Sequence, residues 1–133
     1  MTDLQRSHEE GFVRAFIEKN KQDRCLSFLC SAKHRRKFTV ELSHFKWLDE
    51  RFARPIPPKT AHTVKEIAAL LRSKGAGPTV WIISEQSTID ARELGLEDAL
   101  REIWGRGIGS ILSCIPGRLG YFEDEEVHRL LER

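Results

Sequence analysis

The run Gly77-Pro-Thr-Val-Trp-Ile-Ile-Ser84 is the most strand-like segment of the chain, and the fold expectation is built from it. A Gly-Pro break followed by β-branched and aromatic residues is the pattern of a well-buried strand, because such side chains pack well on a pleated surface. Residues 85–87 form a polar turn, after which Thr88-Ile-Asp-Ala-Arg-Glu93 alternates more weakly. Its charges at Asp90, Arg92 and Glu93 suit an edge strand, where charge discourages pairing with other chains. Leu96, Ala99, Leu100 and Ile103 then fall at i, i+3, i+4 and i+7, with Glu97 and Asp98 in the opening turn and Gly105 beyond the last apolar residue. Face, start and stop signals together predict a helix. Finally, Gly109-Ser-Ile-Leu-Ser-Cys-Ile115 and Arg118-Leu-Gly-Tyr-Phe122 flank Pro116-Gly117, whose fixed φ followed by a free positive φ predicts a type II turn and a hairpin.

The two most apolar of these strands belong in the middle of a sheet, and the charged 88–93 strand and the short 118–122 strand belong outside. Numbering the four by sequence, the order is 2-1-3-4, and chain reversals make every neighbouring pair antiparallel. The expected fold is therefore α+β: N-terminal helices packed on a four-stranded antiparallel sheet, with a crossover helix between two hairpins.

Upstream, Phe12, Val13, Phe16 and Ile17 form one apolar side of a helix over residues 7–19. Cys25, Leu26, Phe28 and Leu29 predict a second, short helix. Ser31 is placed to cap a third, in which Phe38, Leu42 and Phe45 repeat at i, i+4 and i+7 before Trp47 and Leu48 end the helical region. Residues 49–60, with Pro55, Pro57 and Pro58, read as an extended connector. Thr63 with Glu66 is a capping box for a helix whose buried side is Val64, Ile67, Ala68 and Leu71, and Gly75 is its stop. At the far end Asp124 is placed to cap a terminal helix with an apolar strip of Val127, Leu130 and Leu131. A chain of 133 residues, 40% hydrophobic, supports one domain: a helical half over 1–48, the connector, and a helix-plus-sheet half over 61–133.

Twenty-two Lys and Arg against 20 Asp and Glu leave a net charge of +2, so any attraction to nucleic acid or acidic lipid has to come from a local patch. No apolar run approaches the ~20 residues that span a bilayer, and the opening residues lack the apolar core of a signal peptide; the expected location is cytoplasmic. Cys25, Cys30 and Cys114 are an odd number in apolar surroundings and read as reduced core residues.

The most unusual chemistry is in Lys33-His-Arg-Arg-Lys37. In the first turns of a helix begun at Ser31, each cation opposes the helix dipole at about 0.3–1 kcal/mol, and a bound anion reverses the sign of that term. Arg24, Lys33, His34, Arg35, Arg36 and Lys37 are thus candidate ligands for a phosphate or a nucleic-acid backbone; the same run also reads as a solvated charged face, the commoner use of short basic clusters. Cys25, Cys30, His34 and His44 do not match a zinc spacing, and on a helix residues 25 and 30 point about 140° apart, so neither metal nor other cofactor is expected. Cys114, Ser84, Ser110 and Ser113 lie in no recognised nucleophile motif. The glycines of Gly105-Arg-Gly-Ile-Gly109 follow a helix and precede a strand, the reverse of a phosphate loop, and read as a helix stop and a close-packed turn.

The resulting expectation is a small cytoplasmic interaction or regulatory protein that acts on a protein partner or a second copy of itself, without a membrane role. The alternative is nucleic-acid or phosphate binding through the basic run, and a third reading is an enzyme whose site is assembled from scattered residues; catalytic signatures are missing, which leans away from the third.

Overall fold

The computed structural model describes residues 2–56 and 63–133. Among them are five α-helices, α1 (Asp3–Phe16), α2 (Gln22–Leu29), α3 (Arg35–Thr39), α4 (Val64–Ser73) and α5 (Leu96–Ile103). Six strands, β1 (Ala53–Pro55), β2 (Thr79–Ser84), β3 (Arg92–Gly95), β4 (Ser110–Ile115), β5 (Leu119–Glu123) and β6 (His128–Glu132), form one antiparallel sheet in the order β1-β6-β5-β4-β2-β3. The four expected strands stand in the expected order inside it, as β3-β2-β4-β5. Two further strands extend the sheet past β5, so it has six strands and not four.

Helices cover both faces of the sheet, and the alternation of each strand explains the long apolar runs. From β2, Trp81 and Ile83 join the cluster under α1, α2 and α3, together with Phe12, Phe16, Cys25, Phe38 and Leu42. Val80 and Ile82 point the other way, into a cluster with Ile67 and Leu71 of α4 and Leu96, Leu100 and Ile103 of α5. A strand buried on both sides has no polar face, so β2 carries a continuous apolar run even though its neighbours are antiparallel.

The same geometry corrects the C-terminal expectation. Asp124 does accept from the backbone N–H groups of Glu126 (2.7 Å) and Val127 (2.8 Å), but it closes a turn and not a helix start, since its own N–H bonds the Val127 carbonyl. The chain then runs extended as β6 between β5 and β1. Val127 and Leu131 serve the α1–α3 side and Leu130 serves the α4–α5 side. Apolar residues at i, i+3 and i+4 therefore mark a two-faced strand as readily as a helix strip.

Other boundaries shift for local reasons. Helix α1 begins earlier than expected, because Thr2 accepts from the Gln5 N–H (3.1 Å), and it ends at Phe16, where Ile17 turns extended to pair with Leu48. The expected long third helix is only α3 followed by a 3-10 turn over Val40–His44, and residues 45–47 run on without helix. The second strand of the first hairpin is Arg92–Gly95 and not 88–93, because Ile89 folds back into the core and Asp90 turns toward Arg35. Part of the connector is itself the edge strand β1, ending at Pro55, a residue tolerated at a sheet edge; Pro57 and Pro58 lie outside the described residues.

Two turn expectations stand as read. Arg118 N–H bonds the Ile115 carbonyl (3.0 Å) across Pro116-Gly117, with Gly117 at φ +70°, the type II geometry. Helix α4 is capped by the Thr63 hydroxyl, which accepts from Glu66 N–H (3.2 Å), and closes with Ala76 N–H on Leu71 and Gly75 N–H on Arg72. No described helix is long and apolar enough to cross a membrane.

Candidate interaction surface

The tertiary structure divides the basic run among three environments. Arg35 points inward, its side chain 13% exposed, and its guanidinium spans two carboxylates. It donates to Glu9 Oε1 (2.8 Å) and Oε2 (2.6 Å), and to Asp90 Oδ2 (2.6 Å) and Oδ1 (3.0 Å). Glu9, 1% exposed, also accepts from the Trp81 indole N–H (2.9 Å), while Asp90 accepts from the backbone N–H of Ser84 (3.0 Å). Burial opposes the charge on Arg35, but the bonds to Glu9 and Asp90 outweigh it and raise the guanidinium above an ordinary arginine. The group thus ties α1, α3 and the loop before β3 together over the sheet.

Arg36 instead donates to the Glu85 carbonyl in the turn after β2. His34 lies half-buried just before α3, and Lys33 is exposed. Ser31 does not cap: its carbonyl accepts from the backbone N–H of His34 (3.0 Å) and Arg35 (2.8 Å), and α3 begins only at Arg35 and runs five residues. The free N–H groups expected beside Lys33–Lys37 are therefore not assembled into a long helix start.

Arg24 and Lys37 are brought together from separate elements. Both sit over the ring of Phe28, at 5.5 Å and 5.9 Å from its centroid, and Lys21 sits over Trp47 at 5.7 Å. Between them is a groove of about 310 Å³ lined by Arg24, Phe28, Lys37, Val40, Glu41 and Trp47. Val40, 42% exposed, is one of two exposed large apolar side chains among the described residues, the other being Leu4 on α1. Arg24 and Lys37 make no ion pair among the described residues, so two cations face Glu41 in the lining, with Lys21 beside it on the Trp47 ring. The sequence pattern singles out Arg24 and Lys37 but not Lys21, Phe28, Val40 and Trp47; Arg24 and Phe28 at i, i+4 on α2 were the available signal.

Most of the remaining polar clusters are built into the core. His8 Nδ1 lies 2.7 Å from Ser113 Oγ and its ring stacks on Trp81, a hydrogen-bonded pair of the type that activates serine, but both residues are buried where α1 meets the sheet. Ser84 and Ser110 bond each other at 2.7 Å. Burial pushes the Cys114 thiol up to about 12, which keeps it from being a thiolate at neutral pH. Cys25 is buried too, while Cys30 is exposed, contrary to a core role for all three. His44, Glu125 and Glu126 bring ligand atoms within 4.8 Å of one another, but all three are exposed.

On the opposite face, Tyr121 O–H donates to Glu123 Oε1 (2.7 Å) and lies 2.7 Å from His128 Nδ1, and Glu123 Oε2 accepts from Gly105 N–H (2.9 Å). Trp104 stacks obliquely on His128 at 4.8 Å. A phenol has one proton to give, so with Glu123 ionised His128 Nδ1–H is the donor to the Tyr121 oxygen. Burial raises the Glu123 carboxyl to about 7 from 4.5, against the lowering effect of its bonds from Tyr121 and Gly105. The native state therefore holds a proton that the unfolded chain releases between those values. The stability Glu123 contributes is full below about 4.5 and lost as pH rises through about 7. His8 and His128, both lowered chiefly by burial, act in the opposite sense, losing stability as pH falls below 6.5. Glu123→Gln isolates the first effect: its urea midpoint relative to wild type is expected to rise between pH 5 and pH 8, and parallel profiles would count against a protonated Glu123.

No protein-family model matches the chain, and comparisons with curated proteins and with solved structures likewise give no match.

Proposed function

We propose that the protein is a binding module whose working surface is the groove between α2 and α3, and that it docks an acidic segment of a protein partner there. The observation that carries this reading is the set of cations resting on aromatic faces beside an exposed Val40. A cation over a ring at an exposed site contributes ~0.5–1 kcal/mol, whereas a hydrogen bond to a charged group contributes ~1.5–3 kcal/mol. An arriving carboxylate therefore draws Arg24 or Lys37 off Phe28 and opens the ring to an apolar side chain. With two cations and one acid in the lining and Lys21 beside it, the complementary ligand is a segment with carboxylates flanking an aliphatic or aromatic anchor.

A pair of nine-residue fluorescent peptides, Glu-rich and Gln-rich around one central Phe, tests this by anisotropy. The Glu-rich peptide is expected to bind at least about tenfold tighter, and Arg24→Glu with Lys37→Glu is expected to remove the difference, a tenfold change being ~1.4 kcal/mol. Equal binding of the two peptides would overturn the reading.

The second reading, nucleic-acid or phosphate-backbone binding, draws on the exposure of Arg24, Lys33 and Lys37. It predicts that a single-stranded RNA oligonucleotide outcompetes the Glu-rich peptide at low salt, with affinity falling steeply as salt is added. Arg35, committed to Glu9 and Asp90, contributes to neither.

A further inference from the structure

A second hollow, of about 270 Å³, is lined in part by Asp49, whose segment is pinned to the end of α1 by Glu18 N–H on the Trp47 carbonyl (2.8 Å) and Asp49 N–H on the Phe16 carbonyl (2.7 Å). It is lined by Arg14, Lys19, Arg51, Arg133, Gln22, Asp49 and Ile17. Four cations face one carboxylate in this lining, and the carboxylate is already engaged: Asp49 accepts from Arg51 Nε (3.0 Å) and NH2 (2.7 Å). Arg14 reaches outward to Asp23 at 3.3 Å. No carboxylate among the described residues pairs with Lys19 or Arg133.

Two of these guanidiniums converge on a single ring. Arg51 stands 5.1 Å and Arg133 4.4 Å from the centroid of Phe52, and Arg133 is held there by a bond from NH1 to the Ala15 carbonyl (3.1 Å). Like charges repel, and the single Asp49 carboxylate, its pKa held down first by its bond from Arg51 and also by the charge of Arg133, offsets only part of the positive charge gathered here. A stacked and hydrogen-bonded guanidinium is also orientationally fixed, which leaves its remaining N–H groups aimed at a ligand without further loss of freedom. We infer that this hollow is an anion site for a phosphate monoester. Its tetrahedral oxygens suit several N–H donors arriving from different sides, and a dianion matches the surplus of cations better than a single carboxylate does. The volume lies just under the usual range for drug-sized ligands, which fits a phosphate with a small substituent. The site shares no lining side chain with the α2–α3 groove, so it stands or falls separately from the peptide-binding reading.

The probe is inorganic phosphate, titrated into 15N-labelled protein at constant ionic strength while the arginine Nε–H signals are followed, with chloride as the control. Saturating shifts of the Arg14, Arg51 and Arg133 signals with phosphate and none with chloride are expected. Arg133→Gln is expected to weaken binding about tenfold or more, and Arg133→Lys to restore only part of it, because Lys keeps the charge and loses the fork. Non-saturating shifts, equal shifts with chloride, or unchanged binding in Arg133→Gln would overturn the inference. Phenyl phosphate and a blocked phosphoserine amide, compared in the same assay, distinguish a free small molecule from a phosphorylated side chain as the source.

Discussion

Replacing Arg35 by Met is expected to destabilise the protein by ~3–5 kcal/mol, the cost of stranding buried charge after one partner is removed. Met fills much of the volume of the arginine stem, so the loss is electrostatic: Glu9 at 1% and Asp90 at 14% side-chain exposure lose four short donor contacts between them. The Trp81 indole and the Ser84 N–H still donate to these carboxylates but bring no full charge. One further result, read by urea unfolding, separates this account from a packing loss. Glu9→Gln in the Arg35→Met background is expected to recover part of the loss, making the two substitutions strongly non-additive. A deficit that simply adds to that of Glu9→Gln would show that the ion group does not hold α1, α3 and the loop before β3 together.

Gly109→Ala is expected to cost at least ~3 kcal/mol, the upper end of overpacking penalties, because the obstacle is backbone. A Cβ at this position would lie 2.2 Å from the Leu42 carbonyl carbon, 2.4 Å from its oxygen and 2.5 Å from Ser43 N, so the 3-10 turn after α3 would have to move off the sheet. Gly105→Ala is the control. Gly105 has φ +69° but nothing within 4 Å of an added methyl group, and only the left-handed backbone term of ~1–2 kcal/mol applies. Denaturant midpoints should therefore rank wild type above Gly105→Ala, and Gly105→Ala well above Gly109→Ala. The reverse ranking would mean that the turn after α3 is not seated on the start of β4.

The binding-surface expectation shows where sequence reasoning stops. Basic character around residues 33–37 was legible, but whether each cation faces solvent depends on elements far away in the chain. Arg35 meets Glu9 and Asp90, 26 and 55 residues distant, whereas Lys37 meets Phe28 on the neighbouring helix. Nothing in the local pattern distinguishes the two. The hollow beside Phe52 was illegible for the same reason, since its cations come from α1, the following turn, the connector and the last residue.

Local physics alone determined much of the frame. The type II turn at Pro116-Gly117, the capped helix starting at Val64, the amphipathic helix from Leu96, and the order of the four strands between Thr79 and Glu123 all follow from dihedral preferences, caps and apolar periodicity, which act within a few residues. Only the tertiary structure decided that Val127, Leu130 and Leu131 belong to a strand and its turn, because an interior strand covered on both faces carries apolar residues at the same spacings as a helix. It likewise decided which charges are interior and which are free to meet a ligand, because burial is set by what packs on top of a residue.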